Sequence, residues 1–345
     1  MKQLSEYRLP FTYNTHYAYG VGRIRALETR LLRRHDISRL VGAEDTDAFL
    51  RILGETDYGE TVPSLSDPDH FEDFLSGHMA STLNLIVHLS KNPEVTDLLK
   101  MRSDYYNLKI LLKGSISGRD MEFFLSPSGQ VPPAVLLRAI RDEDVGHLPG
   151  YLRQTIQTIE GFSPSDEIEP QSLDVLVDKA MFSHFLSVVM KVGMMFLWGW
   201  LEREIDLLNI KTFVRLLWSQ QAPELLKTNL CDGGSLAVEF YRMLQEEPLD
   251  GLPQRFGQTR YARLLDEGIA SLQTKGSFAR LEQLCDGFLI TYLGRARLTT
   301  FGLEPLMAYV LIKEYEIKAI RTIFTCKWNH LPPESIQERL PDVYL

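Results

Sequence analysis

Apolar residues return along almost the whole chain at steps of three and four, the period of an amphipathic helix. Hardly any stretch alternates as a strand does. In Asp104-Tyr-Tyr-Asn107-Leu-Lys109-Ile-Leu-Leu-Lys113 the residues Tyr105, Leu108, Leu111 and Leu112 share one helical face. Leu207, Ile210, Phe213 and Val214 do the same in Asp206-Leu-Leu-Asn209-Ile-Lys211-Thr-Phe-Val-Arg215. Breakers are local: Pro63 to Pro68, Ser126 to Pro133, Gly161 to Pro170, Gly233-Gly234, Pro248 to Pro253 and Pro332-Pro333. Helices of roughly 10 to 25 residues are expected between them, so the fold class is all-α. Ser163 to Pro170 reads as a surface loop, and Leu331-Pro-Pro starts a helix with prolines where a lost N–H costs little. Met181 to Leu201 reads as one helix buried on most sides. His184 and Lys191 interrupt it, and its charge-free run falls well short of the ~20 residues needed to span hydrocarbon.

The two phrases are copies of one another. A weaker copy follows at Lys313-Glu-Tyr-Glu316-Ile-Lys318-Ala-Ile-Arg321, and a looser relative precedes them from Gly20 to Thr29. Downstream of the first full copy come Gly129 and Leu148-Pro149; downstream of the second come Gly234 and Leu252-Pro253 at similar distances. Apolar helices with acidic starts precede the three copies at Phe71, Leu173 and Leu281. A period near a hundred residues is too long for a solenoid and points to three similar helical units. They are placed at 1–118, 119–218 and 219–345. Arg25, Lys109, Lys211 and Lys318 stand in register as a basic flank, with Lys113, Arg215 and Arg321 nearby. Two readings of that flank stay open. It is a solvated face whose cations pair with acids such as Asp104 and Asp206, or equivalent residues ring a common axis and face a partner.

Composition narrows the classes. The 345 residues suffice for two or three cores, and 44% hydrophobic with 24% charged residues is ordinary for a globular protein. A formal charge of -9 argues against a nucleic-acid partner. Cys231, Cys285 and Cys326 are odd in number and widely spaced, which suits a reducing compartment and excludes a cysteine-rich zinc site. No basic-then-apolar leader opens the sequence, so nothing suggests secretion, and with Met181 to Leu201 too interrupted to span a bilayer a soluble chain is expected.

Sites for chemistry are scarce. Gly20-Val-Gly22 lacks the third glycine and the preceding strand of a dinucleotide loop, and there is no G-x-x-x-x-G-K-[ST] or H-E-x-x-H. His184 reads as a core or boundary histidine. Asp45 with Asp47, and Asp142 to Asp144, are candidates for acid–base or metal chemistry if they converge in a pocket; Asp142 to Asp144, followed by Gly146 and Leu148-Pro149, read rather as a solvated loop. Glu202 and Asp206, one turn apart, have the only metal-like spacing, but no second acidic pair is present to complete a site and salt bridging is the better reading. No catalytic residue, cofactor or metal is expected. An all-α enzyme built on Glu202 and Asp206 and a helical scaffold of other purpose remain the alternatives.

Tyr17-Ala-Tyr-Gly-Val-Gly-Arg-Ile-Arg-Ala-Leu-Glu28, Glu55-Thr-Asp-Tyr-Gly-Glu60, Asp104-Tyr-Tyr-Asn-Leu-Lys109, Glu204-Ile-Asp-Leu-Leu-Asn-Ile-Lys211 and Lys313 to Arg321 resemble the C-subunit family of bacterial and archaeal V/A-type ATPases. The counterpart in the eukaryotic vacuolar enzyme is its d-type subunit. The likeness runs in order from about Tyr17 to Tyr344. It implies a non-catalytic, all-helical funnel of three units with a pseudo-threefold arrangement. Such a part sits on the cytoplasmic side of the membrane proteolipid ring and couples that ring to the central shaft. Arg25, Lys109, Lys211 and Lys318 are carried as contact residues for those partners. The last copy departs from the pattern, with Glu316 where the others have Asn, and the Tyr7 to Asn14 lead-in has no assigned role.

Overall fold

A computed structural model describes residues 15–59, 68–119, 121–160, 170–220 and 223–344. Tyr7 to Asn14, and the breakers within 63–67 and 161–169, lie outside the described residues. Helices α1 (Ala18–Glu28), α2 (Arg34–Val41), α3 (Thr46–Gly54) and α4 (Pro68–Ser90) come first. Then follow α5 (Pro93–Ser117), α6 (Pro133–Arg141), α7 (Gly150–Glu160), α8 (Pro170–Val192), α9 (Met195–Trp218), α10 (Pro223–Asn229) and α11 (Val238–Met243). The remainder is α12 (Leu252–Arg255), α13 (Ala262–Lys275), α14 (Ala279–Leu293), α15 (Glu304–Trp328) and α16 (Pro333–Gln337). No strand occurs among the described residues, and the all-α class is borne out.

The chain divides into two compact units: Met1–Lys91 with Glu247–Leu345, and Asn92–Glu246. In the first, α4 lies along α15, and α3, α1 and α14 also pack on that helix. Phe49 of α3, Phe71 of α4 and Phe324 of α15 form its aromatic centre, with Phe71 and Phe324 stacked at 3.7 Å. Ile37, Leu40, Leu53, Ile320 and Ile323 close around them without solvent exposure. That burial is the main favourable term, at ~1.5–3 kcal/mol for each fully buried large apolar side chain.

In the second unit α5 pairs with α8, and α9 packs on α8 and α10. The stripes expected from the sequence are the faces that pack. Tyr105, Leu108 and Leu111 are buried on α5, and Leu207, Ile210, Phe213 and Val214 on α9. The single helix expected over Met181–Leu201 is instead two. Gly193 adopts φ +72°, which ends α8 at Val192 and lets α9 begin at Met195. Helical periodicity does not register so tight a turn because apolar residues continue on both sides of it, among them the exposed Met190 and Met195. No described helix is long and apolar enough to cross a membrane.

Candidate functional site

The residues that set the repeated phrase apart are polar, and the structure buries them. Asp104 and Asn107 on α5, and Asp206 and Asn209 on α9, have no solvent exposure. They hold a loop downstream of their own helix, the one between α5 and α6 in the first case and the one beyond the short α10 in the second. Asn107 Oδ1 accepts from Ser126 N at 2.7 Å, and its Nδ2 donates to Ser126 O at 2.8 Å. Asn209 makes the same reciprocal pair with Cys231, at 2.8 and 2.7 Å. One turn earlier, Asp104 accepts from Gln130 N, Val131 N and Tyr151 Oη at 3.1, 3.0 and 2.6 Å. Asp206 accepts from Leu236 N at 3.0 Å and from Ser235 Oγ at 2.5 Å. An asparagine amide suits the first role because it carries a donor and an acceptor side by side. An ionised carboxylate suits the second because it only accepts.

The shared glycines follow from this. A Cβ at Gly129 would fall on Asp104 Oδ1, and one at Gly234 on Asp206 Oδ1. The repeat in the sequence is thus the record of a clip: Asp and Asn from a helix, glycine from the loop they fasten. Burial pushes the Asp104 carboxyl up from its ordinary value, opposed by the hydrogen bonds from Tyr151, Val131 and Gln130.

The weaker copy solves the same problem with different groups. Lys313 stands where the others have Asp, Glu316 where they have Asn, and the two form an ion pair at 2.6 Å with 3% and 1% side-chain exposure. Glu316 Oε2 accepts from Leu32 N at 2.6 Å, and Oε1 from Tyr58 Oη at 2.7 Å. Lys313 Nζ also sits 4.3 Å above the Tyr58 ring. What is fastened here is not the loop after α15 but two earlier points of the chain, Leu32 before α2 and Tyr58 after α3. The departure at Glu316 is therefore a compensated exchange.

Two expectations are corrected. Asp104 and Asp206 are not surface partners of the basic flank, because each is spent on backbone and hydroxyl donors. Asp206 is likewise unavailable as half of an open acidic pair with Glu202, which is itself buried with its carboxylate 3.7 Å from Arg203. No group of three or more His, Cys, Asp or Glu that would hold a metal occurs among the described residues. Asp45 caps α3 by accepting from Ala48 N at 2.7 Å, and Asp142 to Asp144 are solvent-exposed. His184 lies half-buried 3.4 Å from the Tyr105 hydroxyl, with burial lowering its pKa.

The four in-register cations lie on four different helices and engage different neighbours. Arg25 of α1 pairs with Glu28 at 2.8 Å and donates to the carbonyls of Ala296, Arg297 and Thr299. Lys109 of α5 pairs with Asp178 of α8 at 2.5 Å, and Lys113 with Asp174 at 2.6 Å. Lys318 of α15 pairs with Asp286 of α14 at 2.5 Å and remains 58% exposed. Lys211 of α9 is half-buried and makes no ion pair among the described residues. Sequence reasoning found the repeat but missed the clip. The signal available was the near-constant distance from each Asp-x-x-Asn to its glycine.

Long helices whose loops are fastened by buried polar clips define an all-helical protein with an internally repeated motif. Comparison with known proteins gives it a family. Residues 20–339 match the ATP synthase (C/AC39) subunit family, and the chain belongs to it. The C subunit of the V-type sodium ATPase of Enterococcus hirae is 26% identical over 93% of this chain and 97% of its own length. The C subunit of the A-type ATP synthase of Methanocaldococcus jannaschii is 24% identical over 94% of this chain and 86% of its own. For the C subunit of the V-type ATP synthase of Deinococcus radiodurans the figures are 23%, 94% and 91%. The resemblance read from the sequence motifs is borne out.

Proposed function

We propose that this chain is the C subunit of a V/A-type ATPase and works there as a non-catalytic rotor part. It joins the membrane proteolipid ring to the central shaft on the cytoplasmic face and carries torque between them during ATP-linked ion transport. The match to the family over residues 20–339 carries this reading. The repeated clips support it physically. A torque adapter must hold its loops rigidly to its helices, and each copy of the motif spends its polar groups on that. The division into units at 1–118, 119–218 and 219–345 is part of this reading and rests on the recurrence of the motif; each clip fastens a motif helix to a segment of another of these units. Arg25 and Lys109 serve internal pairing in this reading, which leaves Lys211 and Lys318 as the members of the flank best placed to meet a partner.

The test is reconstitution. Membranes stripped of the endogenous protein should regain coupled ATP-driven ion transport when the purified chain is added back, and the isolated chain should hydrolyse no ATP. Recovery of the ring and shaft proteins in separate pull-downs should accompany it. ATPase activity in the isolated chain, or failure to recover either partner, overturns the proposal.

A further inference from the structure

The first unit holds a cleft of about 640 Å³ between α1, the start of α2 and the connection from α14 to α15. Its charge runs against that of the whole chain, since four arginines line it against two glutamates while the protein carries -9. Both glutamates are occupied: Glu28 by Arg25, and Glu316 by Lys313, Tyr58 and Leu32 N. Arg25 is occupied in turn by Glu28 and three backbone carbonyls. Arg33, Arg34 and Arg297 remain. All three are exposed, and none of their guanidinium groups makes an ion pair or hydrogen bond among the described residues. The wall beside them is aliphatic, with Ile290, Ile312 and the exposed Val343.

We propose that this cleft docks an acidic segment of a protein partner, with carboxylates on Arg33, Arg34 and Arg297 and aliphatic side chains against Ile290, Ile312 and Val343. The inference rests on the reading of the chain as one part of a larger assembly. Guanidinium groups stay charged and present a planar fork that matches a carboxylate bidentately. A concave, low-dielectric wall focuses their field and attracts an acidic surface over distance. The lining residues include no aromatic ring to stack a base and no glycine-rich cradle for phosphates, which disfavours a nucleotide. The internal acids are already paired, so the spare positive charge has no counterpart within the described cleft.

The test uses the full chain and the partner complex lacking it. A variant carrying Arg33→Glu, Arg34→Glu and Arg297→Glu is compared with one carrying Arg138→Glu, Arg153→Glu and Arg263→Glu, which changes the same charge on exposed arginines elsewhere. The cleft variant should melt as the parent does and bind the complex about tenfold more weakly or worse at low salt, with a shallower salt dependence. The control should bind like the parent. A photo-crosslinker placed at Val343 in the otherwise unaltered chain should capture a partner segment rich in Asp and Glu with interspersed Leu, Ile or Val. If the Glu variant melts early, the corresponding Gln triple, which removes charge without reversing it, gives the same comparison. Parental assembly by the folded cleft variant, or capture of a segment without acidic residues, overturns the cleft and leaves the family-based reading intact. Tight inorganic phosphate binding that the cleft variant loses while it still assembles overturns it in favour of a small-anion site. If the unaltered protein does not join the complex, the rotor-part reading fails and the cleft proposal with it.

Discussion

Asp104 shows how much one residue of the motif is asked to do. Its carboxylate is fully buried and binds two backbone N–H groups and the Tyr151 hydroxyl, while Gly129 leaves room for one of its oxygens. Gly129→Ala should therefore act through Asp104, displacing the carboxylate from donors that then lie buried and unmet. The expected cost is ~1–3 kcal/mol in urea unfolding. Combined with Asp104→Ala, the glycine substitution should cost much less, because the oxygen it would strike is gone; simple additivity in that cycle would show the clash to be irrelevant. The same logic at the exchanged clip predicts that Glu316→Ala costs ~3–5 kcal/mol, because it strands Lys313 without a counter-charge. Lys313→Met added to Glu316→Ala should recover a large part of that loss. Nothing in the sequence marked these polar residues as buried. A charged or amide side chain one turn from an apolar stripe reads as surface, and only the unmet hydrogen bonds of a distant loop draw it inside.

Helices are joined to helices by the cations of the flank. Lys109–Asp178 and Lys113–Asp174 tie α5 to α8, and Arg321–Glu72 ties α15 to α4 at 2.7 Å. Lys109 and Asp178 are the more enclosed pair, at 23% and 18% exposure. Burial pushes the Asp178 carboxyl up and the Lys109 ammonium pulls it back. Removing that ammonium leaves a largely buried carboxylate, so Lys109→Ala should destabilise by ~1–3 kcal/mol in urea. Lys113→Ala, at a half-exposed pair, should cost ~1 kcal/mol or less and lose its effect in high salt. Equal costs for the two would mean that burial does not set the strength of these ties. At this scale the sequence was legible where helical faces carry it: the stripes on α5 and α9 are the packed faces. It was not legible at the turn after Val192. One glycine there reverses the chain, and the apolar run on either side gives periodicity nothing to register.

Across the molecule, two half-buried histidines, one in each compact unit, should respond to mild acid. His78 and His184 both have their pKa lowered from 6.5, chiefly by burial, with Lys313 adding to the effect at His78 and Asp57 opposing it. A lowered folded value means that the unfolded chain takes up the proton first. The stability these neutral rings contribute is present above about pH 6.5 and is lost as pH falls through the folded values. A His78→Gln, His184→Gln variant should show a flatter loss of melting temperature between pH 7 and pH 5 than the parent, and an unchanged slope would exclude these rings as the cause. The whole-molecule features that could be read from sequence were the helical class and the family, because both are written in repeated local patterns. The partners of the basic flank could not be, since Asp178 and Asp286 lie on other helices, beyond the reach of a helical period. Those pairings bear on the two readings of the flank. Lys109 is enclosed in its internal pair, Lys318 pairs with Asp286 yet stays 58% exposed, and Lys211 is the member with no ion pair among the described residues. Lys211→Glu is thus the clean probe of partner contact. It should change folding stability by no more than ~0.5 kcal/mol. A Lys211 that faces an acidic partner predicts slower association with the complex at low salt, converging on the parent as salt screens the contact. Association indistinguishable from the parent at low salt would leave Lys318 as the flank's remaining candidate and assign Lys211 to the solvated face.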